Sequence, residues 1–396
     1  MKKSLLFVID SLDCAGAEKS LVTLLSLLDY SKFSVDMMLF AHGKLLEELL
    51  PKEVNILKPL VYTKFSELSM KNSLIFSLKS LSFRMLFSRL KYSVAIRRRK
   101  YSNPQKSRIF WQSVSNVIEI NPKLYDVAIS YAQGIPSFYV IDKIHAKKKV
   151  AWVNVSCQLR DKERLYHKQY YDQFDKVVAV SDSTKDTFIQ CFPEYSEKTK
   201  VIYDINNPEF INRMSCLGKS YDDHYDGLRI LTIGRLARQK GYDIALQTCK
   251  MLKEHGVEFR WYALGKGPLK EEIEQYIREN DLSRHFILLG VESNPYPYIK
   301  QSDLYVQTSK FEGFGLAIAE ARMLNVPVVT TRFDAVYNQM IDGINGLVVD
   351  MNADAVYVGI LKIINDVELR ESIIGNLKVE KKGNVEEINN VYQLIG

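Results

Sequence analysis

The segment from Phe311 to Ala321, FEGFGLAIAEA, combines two acids with a glycine-rich turn. Glu312 and Glu320 are eight positions apart, and two glycines free the backbone where a helix is expected to begin, at about Phe314. A helix N-terminus offers unpaired N–H groups and partial positive charge, so it can hold a diphosphate or sugar hydroxyls. Glu312 can accept hydrogen bonds from sugar hydroxyls. Glu320, two helical turns later on the same face, can reach a ribose diol. The alternative is a plain strand-to-helix turn with two solvated glutamates.

A second segment, Leu231–Gly241 or LTIGRLARQKG, places two cations after a buried strand that ends at Gly234. Arg235 and Lys240 are predicted at the carboxyl edge of the sheet, where open α/β sheets bind ligands. Arginine can donate two hydrogen bonds to phosphate oxygens, and lysine supplies a point charge. The pair could therefore neutralise a departing nucleoside diphosphate in place of a metal. We find no Asp-x-Asp pair and no His/Asp cluster at ligand spacing, so we predict no metal site. Surface solvation is the alternative for both cations.

The first half of the chain carries weaker signals. Its first predicted strand leads into DSLDCAGAEKS, where Gly16 opens a helix near Glu18 without the G-x-G-x-x-G spacing of a dinucleotide loop. A helix cap that binds no ligand explains this turn equally well. Tyr131 and Asn154 each end a predicted strand, and ordinary packing is the favoured interpretation for both. The histidines have no partner at a readable spacing, and no nucleophile elbow supports a Ser/His/Asp triad.

Short apolar runs alternate with helical periodicity along the whole chain, which predicts α/β architecture with parallel sheets covered on both faces. The predicted strands are Leu5–Asp10, Val35–Phe40, Val127–Tyr131, Val150–Val155, Val177–Ser181, Arg229–Gly234, Phe259–Gly265, Phe286–Gly290, Leu304–Thr308, Val328–Thr331 and Gly346–Asp350. A length of 396 residues favours two domains. We predict an N-terminal domain over 1–205 with a basic insertion at 66–111, a linker over 206–227, a C-terminal domain over 228–377, and a C-terminal tail over 378–396 that can form a helix.

Charge and cysteine usage restrict the partners and the compartment. The segment from Lys64 to Arg108 contains twelve basic residues and one acid, Glu67, so its net charge is +11. Because the whole chain carries +7, the remainder carries −4, and the basic character is local. Such a patch needs an anionic neighbour, and no nucleic acid is expected. The five cysteines are scattered without a C-x-x-C pair, which favours a reducing cytoplasm. The start MKKSLLFVIDSLD has only six apolar residues before Asp10, too few for a signal peptide or a spanning helix.

Taken together, these motifs resemble the group 1 glycosyltransferases, whose retaining members share the GT-B fold of two Rossmann-like domains with parallel sheets facing a central cleft. GRLARQKG is similar to the family's G-R-x-x-x-x-K-G element, and the pair Glu312 and Glu320 is similar to its two glutamates with seven residues between them. LGKGPL at Leu264–Leu269 and DGINGLVV at Asp342–Val349 follow in the family's order. The first domain departs from the pattern, because Ala15 replaces a glycine and Asn154 stands where many members carry histidine.

The resemblance implies a role for each matching position. Arg235 and Lys240 would hold the donor diphosphate and stabilise the leaving group, while Glu312 would contact the transferred sugar and Glu320 the ribose. Backbone groups would bind sugar and phosphate at the turn formed by Gly313, Phe314, Gly315 and Leu316. Gly16 would approach the diphosphate or the acceptor, and the donor site would extend to Gly265 and to Val291 near the base.

The implied activity is retaining, metal-independent transfer of a sugar from a nucleoside-diphosphate sugar, expected to be a UDP-sugar, without a further cofactor. The acceptor would be a saccharide or lipid-linked saccharide in bacterial surface polysaccharide, such as capsule, or glycolipid synthesis. The family's chemistry is described as same-face attack, in which the leaving phosphate helps take the acceptor's proton. Two alternatives stay open: a non-catalytic GT-B partner subunit, and another GT-B enzyme such as a nucleotide-sugar epimerase or a phosphorylase.

The basic insertion predicts peripheral attachment to the inner face of the cell membrane. Lys71 to Asn103 contains no Gly or Pro, so one or two helices can run through it. On a helical wheel one strip is polar and a wide face is apolar; the strip is Ser77, Ser80, Arg84, Ser88 and Lys91, and the apolar face is Leu74, Leu78, Leu81, Met85, Phe83, Phe87 and Leu90. We expect Arg97–Lys100 to attract an anionic leaflet. Packing of the apolar face on the first domain, with Arg97–Lys100 solvated, is the alternative.

Overall fold

The computed structural model describes residues 2–13, 16–79, 83–97, 101–154, 159, 161–292 and 294–396. The chain divides into two compact units. The first comprises Met1–Asp13, Ala17–Ile202 and the C-terminal segment Ile388–Gly396, and the second is made mainly of Tyr203–Glu387.

The first unit is built on a seven-stranded parallel sheet with the order β3-β2-β1-β4-β5-β6-β7. Its strands are β1 (Lys3–Ile9), β2 (Phe33–Leu39), β3 (Val54–Ile56), β4 (Asn121–Ser130), β5 (Ile144–Val153), β6 (Lys176–Ala179) and β7 (Thr199–Val201). Its helices are α1 (Gly16–Ser26), α2 (Val61–Glu67), α3 (Met70–Lys79), α4 (Arg84–Arg97), α5 (Asn103–Val114), α6 (Ile135–Lys143), α7 (Asp161–Tyr171) and α8 (Asp182–Cys191). Short 3₁₀ turns cover Leu45–Leu49, Ser115–Val117 and Pro193–Lys198.

The second unit holds a six-stranded parallel sheet with the order β10-β9-β8-β11-β12-β13. Its strands are β8 (Leu228–Ile233), β9 (Phe259–Leu264), β10 (Phe286–Gly290), β11 (Leu304–Gln307), β12 (Val328–Thr331) and β13 (Leu347–Val349). Its helices are α9 (Pro208–Met214), α10 (Tyr242–Glu254), α11 (Lys270–Glu279), α12 (Tyr296–Lys300), α13 (Leu316–Met323), α14 (Ala353–Asn365) and α15 (Val367–Val379), with 3₁₀ turns at Arg238–Lys240, Val336–Asn338 and Val385–Glu387. The last helix of the chain, α16 (Ile388–Ile395), belongs to the first unit.

The parallel α/β architecture predicted from the sequence is confirmed, and all eleven predicted strands form. Central strands are easy to predict because helices cover both faces, so every side chain from Leu5 to Ile9 of β1 is buried. The sequence missed β3 and β7, the three-residue strands at the two edges of the first sheet. Each has a polar residue at its centre, Asn55 or Lys200, so neither produces an apolar run, whereas the equally short β13 is Leu-Val-Val.

Two segments that showed no strong pattern are ordered by side-chain contacts. Residues 206–227, the expected linker, contain α9, whose first turn is capped by Asn207 accepting from the N–H groups of Glu209 and Phe210 at 3.1 and 3.3 Å. Within the expected tail, α16 buries Val391, Leu394 and Ile395. Its Tyr392 ring stacks on Phe33 of the same unit, with the ring centroids 5.8 Å apart.

The basic insertion forms α3, α4 and α5, and at Leu74 and Leu78 its apolar face does not pack on the first unit. These two leucines are 47% and 61% exposed while Ser73 and Ser77 are fully buried, so the alternative in which the apolar face packs on the first domain does not hold for α3. Arg89 of α4 donates hydrogen bonds to the Ser73 hydroxyl and to the Phe65 carbonyl on the inward side of α3, whereas the buried Ser77 hydroxyl has no hydrogen-bond partner within the described residues. Of the expected basic cluster, Arg97 ends α4, and residues 98–100 lie outside the described residues.

His167 lies in the aromatic core of the first unit. It is 4% exposed on α7, with the Phe138 ring 5.1 Å from its own. Burial, with a smaller contribution from the positive charge of Arg108, lowers the pKa of His167 to about 4. The folded unit therefore holds this imidazole neutral, whereas in the unfolded chain its pKa is about 6.5.

We predict that acidification destabilises the first unit through His167. Because the folded pKa is lowered, the stabilisation is complete above the unfolded pKa and is lost as the pH falls from about 6.5 towards about 4. Between pH 7 and pH 5 the free energy of unfolding should fall by about 2 kcal/mol from this group. Urea unfolding followed by fluorescence of the first unit's tryptophans measures the change. A His167→Phe variant should lose this part of the pH dependence, and His145→Phe, at an exposed position, should keep it. An equal pH dependence in both variants would contradict the prediction.

Candidate functional site

The candidate site lies where the second sheet reverses its strand order. From β8 the chain proceeds outward through β9 to β10 on one side, and then returns to β11, next to β8, before moving outward on the other side. Loops leaving the carboxyl ends of β8 and β11 therefore diverge and leave a crevice, which is the usual ligand site of an open parallel sheet. The first of these loops carries Arg235 and Lys240, and the second carries Glu312.

The loop after β8 requires glycine at the point where it passes β11. Gly241 follows the 3₁₀ turn Arg238–Lys240 and has a left-handed φ of 65°. A Cβ atom at Gly241 would lie 1.9 Å from the carbonyl oxygen of Thr308, so only glycine allows this approach. The close approach brings the Lys240 side chain over the end of β8 towards the loop after β11.

A group of three donors holds the carboxylate of Glu312. Lys240 Nζ lies 2.5 Å from Oε1 of Glu312, and that oxygen also accepts from Ser309 Oγ at 2.6 Å and Gln307 Nε2 at 3.0 Å. The Glu312 side chain is 9% exposed, so these bonds are shielded from solvent. Within the described residues all three donors bind Oε1. Oε2 is therefore the oxygen that can accept a hydrogen bond from a ligand.

Backbone contacts join the two loops directly. The Lys310 N–H donates to the Gln239 carbonyl at 2.8 Å, and the Gln239 side-chain amide donates to the Phe311 carbonyl at 3.0 Å. Thr308 Oγ1 donates to the Lys240 carbonyl at 3.0 Å. The positions of Lys240 and Glu312 are thus set by the backbone as well as by their own ion pair.

Arg235 presents its guanidinium to solvent at the same edge. Its side chain is exposed, and it forms no hydrogen bond or ion pair within the described part of the chain. The neighbouring Leu236 is buried, which anchors the loop on which Arg235 sits. An exposed guanidinium beside a held Lys–Glu pair can bind an anion without first breaking an internal contact.

The turn Gly313–Leu316 leads into α13, which begins at Leu316 rather than at about Phe314. Gly315 has a left-handed φ of 85°, and the Gln339 side-chain amide donates to the carbonyls of Phe314 and Gly315. Those bonds fix the orientation of the peptide groups immediately before the helix. The N-terminal N–H groups of α13 are consequently available to an anion at this edge.

Glu320 is held differently from Glu312. Because α13 begins at Leu316, Glu312 lies in the loop, and the expectation that both acids share one helix face is wrong. Glu320 is 3% exposed and accepts from the Tyr296 hydroxyl at 3.1 Å. Burial raises the pKa of Tyr296 well above its ordinary value, and the Glu320 charge adds to the effect. The Tyr296 hydroxyl therefore stays protonated and donates its hydrogen bond to Glu320.

Gly265 and Val291 follow the neighbouring strands on the same edge. Gly265 comes directly after β9, and a Cβ atom there would lie 2.0 Å from the Gly234 carbonyl oxygen, so the β8 and β9 loops touch through backbone. The Gly265 N–H donates to the Gly290 carbonyl at 2.6 Å. Val291 follows β10 and is partly exposed. The structure thus places all the predicted donor-site residues of the second unit at one edge of its sheet.

The candidate positions in the first half of the chain are less completely described. Gly16 is the first residue of α1, whereas Ala15 lies outside the described residues. Tyr131 is 1% exposed and its ring stacks on Trp152 at 4.8 Å, which agrees with the packing interpretation. The Asn154 amide donates to the Tyr131 carbonyl at 2.6 Å.

Sequence reasoning missed the residues that hold the two glutamates. Gln307 lies near the end of the predicted strand Leu304–Thr308 and Ser309 follows it directly, and polar residues at the carboxyl end of a central strand are themselves a signal. Tyr296 and Gln339 are distant in sequence from the motifs they contact, and no spacing connects them. As for metals, the described residues contain no group of three or more His, Cys, Asp or Glu side chains that could hold an ion.

Comparison with known proteins bears on the same part of the chain. Residues 224–379 match the family model of glycosyl transferases group 1. Over 194 residues the chain is 28% identical to an uncharacterized glycosyltransferase of Methanocaldococcus jannaschii, covering 46% of this chain and 48% of that protein. Over 214 residues it is 25% identical to an N-acetylgalactosamine-N,N'-diacetylbacillosaminyl-diphospho-undecaprenol 4-alpha-N-acetylgalactosaminyltransferase of Campylobacter jejuni, covering 54% and 57%. The chain spans about half the length of the curated relatives it matches.

Solved structures resemble the chain over nearly its whole length. Anabaena HepE in complex with UDP and glucose superposes with a TM-score of 0.71 at 17% identity, covering 99% of this chain and 98% of HepE. A Staphylococcus aureus TarM variant with UDP bound gives 0.68 at 14% identity, covering 99% of each chain. At such identities the likeness shows the fold alone, and it confirms the predicted GT-B class. With the match over residues 224–379, it confirms the resemblance read from the motifs: the second unit carries the domain of the group 1 glycosyltransferases.

Proposed function

We propose that this chain is a retaining glycosyltransferase that moves a sugar from a UDP-sugar to a saccharide or lipid-linked saccharide acceptor. The observation that carries the proposal is the arrangement at the crevice between β8 and β11. There Lys240, Gln307 and Ser309 hold one oxygen of Glu312, and Arg235 stands exposed beside them.

The two cations suit a leaving diphosphate. When the bond between the sugar's anomeric carbon and the phosphate oxygen breaks, that oxygen gains negative charge, and fixed cations stabilise it most at this moment. Arg235 offers a bidentate fork, and Lys240 is already positioned by its pair with Glu312. The N-terminus of α13 adds further positive potential at the same edge.

The acids suit the donor's hydroxyl groups. Glu312 presents Oε2 to the sugar, and Glu320, held by Tyr296, is assigned to the ribose. In same-face transfer the acceptor oxygen bonds to the anomeric carbon on the side that the phosphate leaves, and the acceptor's proton passes to a phosphate oxygen. No protein nucleophile is needed, which agrees with the absence of a triad motif in the sequence.

The comparisons support the substrate classes of the proposal. HepE was solved with UDP and glucose, and TarM with UDP. The Campylobacter relative is named for transfer to a diphospho-undecaprenol-linked sugar, and a Staphylococcus aureus relative, 25% identical over 219 residues, for capsular polysaccharide biosynthesis. We therefore assign the chain to bacterial surface polysaccharide or glycolipid assembly. Cys191, Cys216 and Cys249 are free thiols, in keeping with a cytoplasmic location.

Release of UDP from UDP-sugars tests the activity. We expect UDP to appear only when an acceptor extract is present, and the new linkage to keep the anomeric configuration of the donor by NMR. A non-catalytic partner subunit would release none. A nucleotide-sugar epimerase would convert the donor without acceptor, and a phosphorylase would require inorganic phosphate instead. An inverted product would overturn the retaining assignment while leaving transfer itself intact.

We predict that Arg235→Ala and Lys240→Ala each lower kcat by about 10²–10³-fold, because each removes a charge that acts when the leaving group becomes anionic. Steady-state kinetics at saturating donor measure the loss. Lys310→Ala is the matched control, since Lys310 lies in the loop after β11 but pairs with Asp243 at 2.7 Å instead of Glu312. Its kcat should stay within about twofold of wild type. Near wild-type turnover in both site variants would refute the assignment.

We also predict that turnover is independent of divalent cations. Arg235 and Lys240 supply the positive charge at the diphosphate edge that a metal supplies elsewhere. Activity after extensive EDTA treatment should therefore remain close to that of untreated enzyme. If EDTA abolishes turnover and Mn²⁺ or Mg²⁺ restores it, the cations do not carry this role.

A further inference from the structure

Helices α3 and α4 expose an unusual number of large apolar side chains. Leu78 and Phe87 are 61% and 69% exposed, and they belong to a patch that we call the α3–α4 face. Its members are Met70, Leu74, Ile75, Phe76, Leu78, Phe83, Phe87, Leu90 and Val94, each at least 36% exposed. Contiguous exposed apolar surface of this kind marks an interaction site on a folded protein.

Contacts on the opposite side of the helices fix this orientation. Ser73 and Ser77 of α3 are buried, and Arg89 of α4 bonds to Ser73 and to the Phe65 carbonyl. On α4 the buried side chain is Leu86, and the Tyr92 ring packs edge-on against Phe110 of α5, with the centroids 5.2 Å apart. Ser73 and Ser77 of α3 thus face the protein, while its large apolar residues face outward together with Lys71 and Asn72. An ordinary surface helix would bury such an apolar face.

The same surface is positively charged. No Asp or Glu occurs between Glu67 and Glu119 in the sequence. Exposed basic side chains flank the apolar patch on both helices; they are Lys71, Arg84, Lys91 and Arg97. Long basic side chains can lay their stems along apolar surface while their charges reach anionic groups beyond it.

This combination identifies the occupant. A second copy of the chain would bring an equally basic face, and like charges would oppose the contact. An anionic phospholipid leaflet offers both a negative surface and an acyl layer that accepts apolar side chains. The helices, of 10 and 14 residues, are about 15 and 21 Å long and so lie along a bilayer rather than cross it. None of the described helices is long and apolar enough to span a membrane.

We propose that the α3–α4 face is a membrane-insertion surface, which buries its apolar side chains among the acyl chains of an anionic leaflet while its lysines and arginines bind the phosphates. Attachment to the membrane rests on the proposed function in one respect: it would bring the enzyme to a lipid-linked acceptor. The binding itself depends on the first unit alone.

Vesicle co-sedimentation tests the proposal with the full chain. Wild-type protein should bind vesicles of phosphatidylcholine and phosphatidylglycerol at low salt, bind pure phosphatidylcholine far less, and be released as salt screens the charges. Leu78→Gln with Phe87→Gln should lower the partition coefficient at least about tenfold by removing inserted side chains. Lys71→Glu with Arg84→Glu and Arg97→Glu should lower it at least about tenfold through charge. Val358→Gln with Val379→Gln, at exposed apolar positions of the second unit, is the matched control and should bind as wild type does.

Insertion is distinguished from adhesion by Phe87→Trp. The added indole should be quenched by brominated lipids beyond the quenching seen for the wild-type tryptophans. Failure of wild-type protein to bind anionic vesicles, equal binding by the Leu78/Phe87 variant, or an unquenched indole at 87 would each overturn the proposal. So would light scattering showing a dimer that the Leu78/Phe87 variant disrupts, since the face would then bind a second copy. UDP binding by calorimetry, expected to be unchanged in all these variants, reports separately on the proposed function.

Discussion

The ion pair between Lys240 and Glu312 joins the two loops of the crevice between β8 and β11, which we call the donor edge after the function proposed for it, and the arrangement of this edge depends on that contact. It joins the loops that follow two adjacent strands, β8 and β11, across the point where the sheet reverses its order. Ser309 and Gln307 donate hydrogen bonds to the same Glu312 oxygen, Oε1, so Oε2 stays available to a ligand. Because the two charged side chains are already held in place, they need little rearrangement when a charged ligand binds.

Backbone proximity makes that contact possible. Gly241 lets the β8 loop pass the Thr308 carbonyl, and Gly265 lets the β9 loop pass the Gly234 carbonyl, each at a distance that a side chain would prevent. Direct hydrogen bonds between Lys310 and Gln239 then join the loops. The glycines of the motif therefore serve the approach of one loop to another as well as the approach of a ligand.

In the first unit, helices α3 and α4 expose apolar side chains instead of burying them. Their apolar side chains face outward, and on the inward side Arg89 bonds to the Ser73 hydroxyl and to the Phe65 carbonyl. In water such a surface is unfavourable, and its basic surroundings provide the charge complement for one kind of neighbour, an anionic leaflet. The donor edge and the α3–α4 face thus belong to separate units and can be tested separately.

The sequence by itself determined the α/β class and eleven of the thirteen described strands, because apolar runs are local signals. Glycine-bounded motifs also predicted which residues bind the donor, and that assignment stays a prediction. The sequence did not reveal β3 or β7, each of which has a polar residue at its centre, or the Tyr296–Glu320 contact, whose partners are 24 residues apart. It left open whether the apolar face of α3 meets a membrane or the first domain, because a helical wheel shows which residues share a face and not which face meets the protein. Only tertiary contacts decided which face meets the protein: Ser73 and Ser77 are buried, and Arg89 reaches back 16 residues to bond to Ser73.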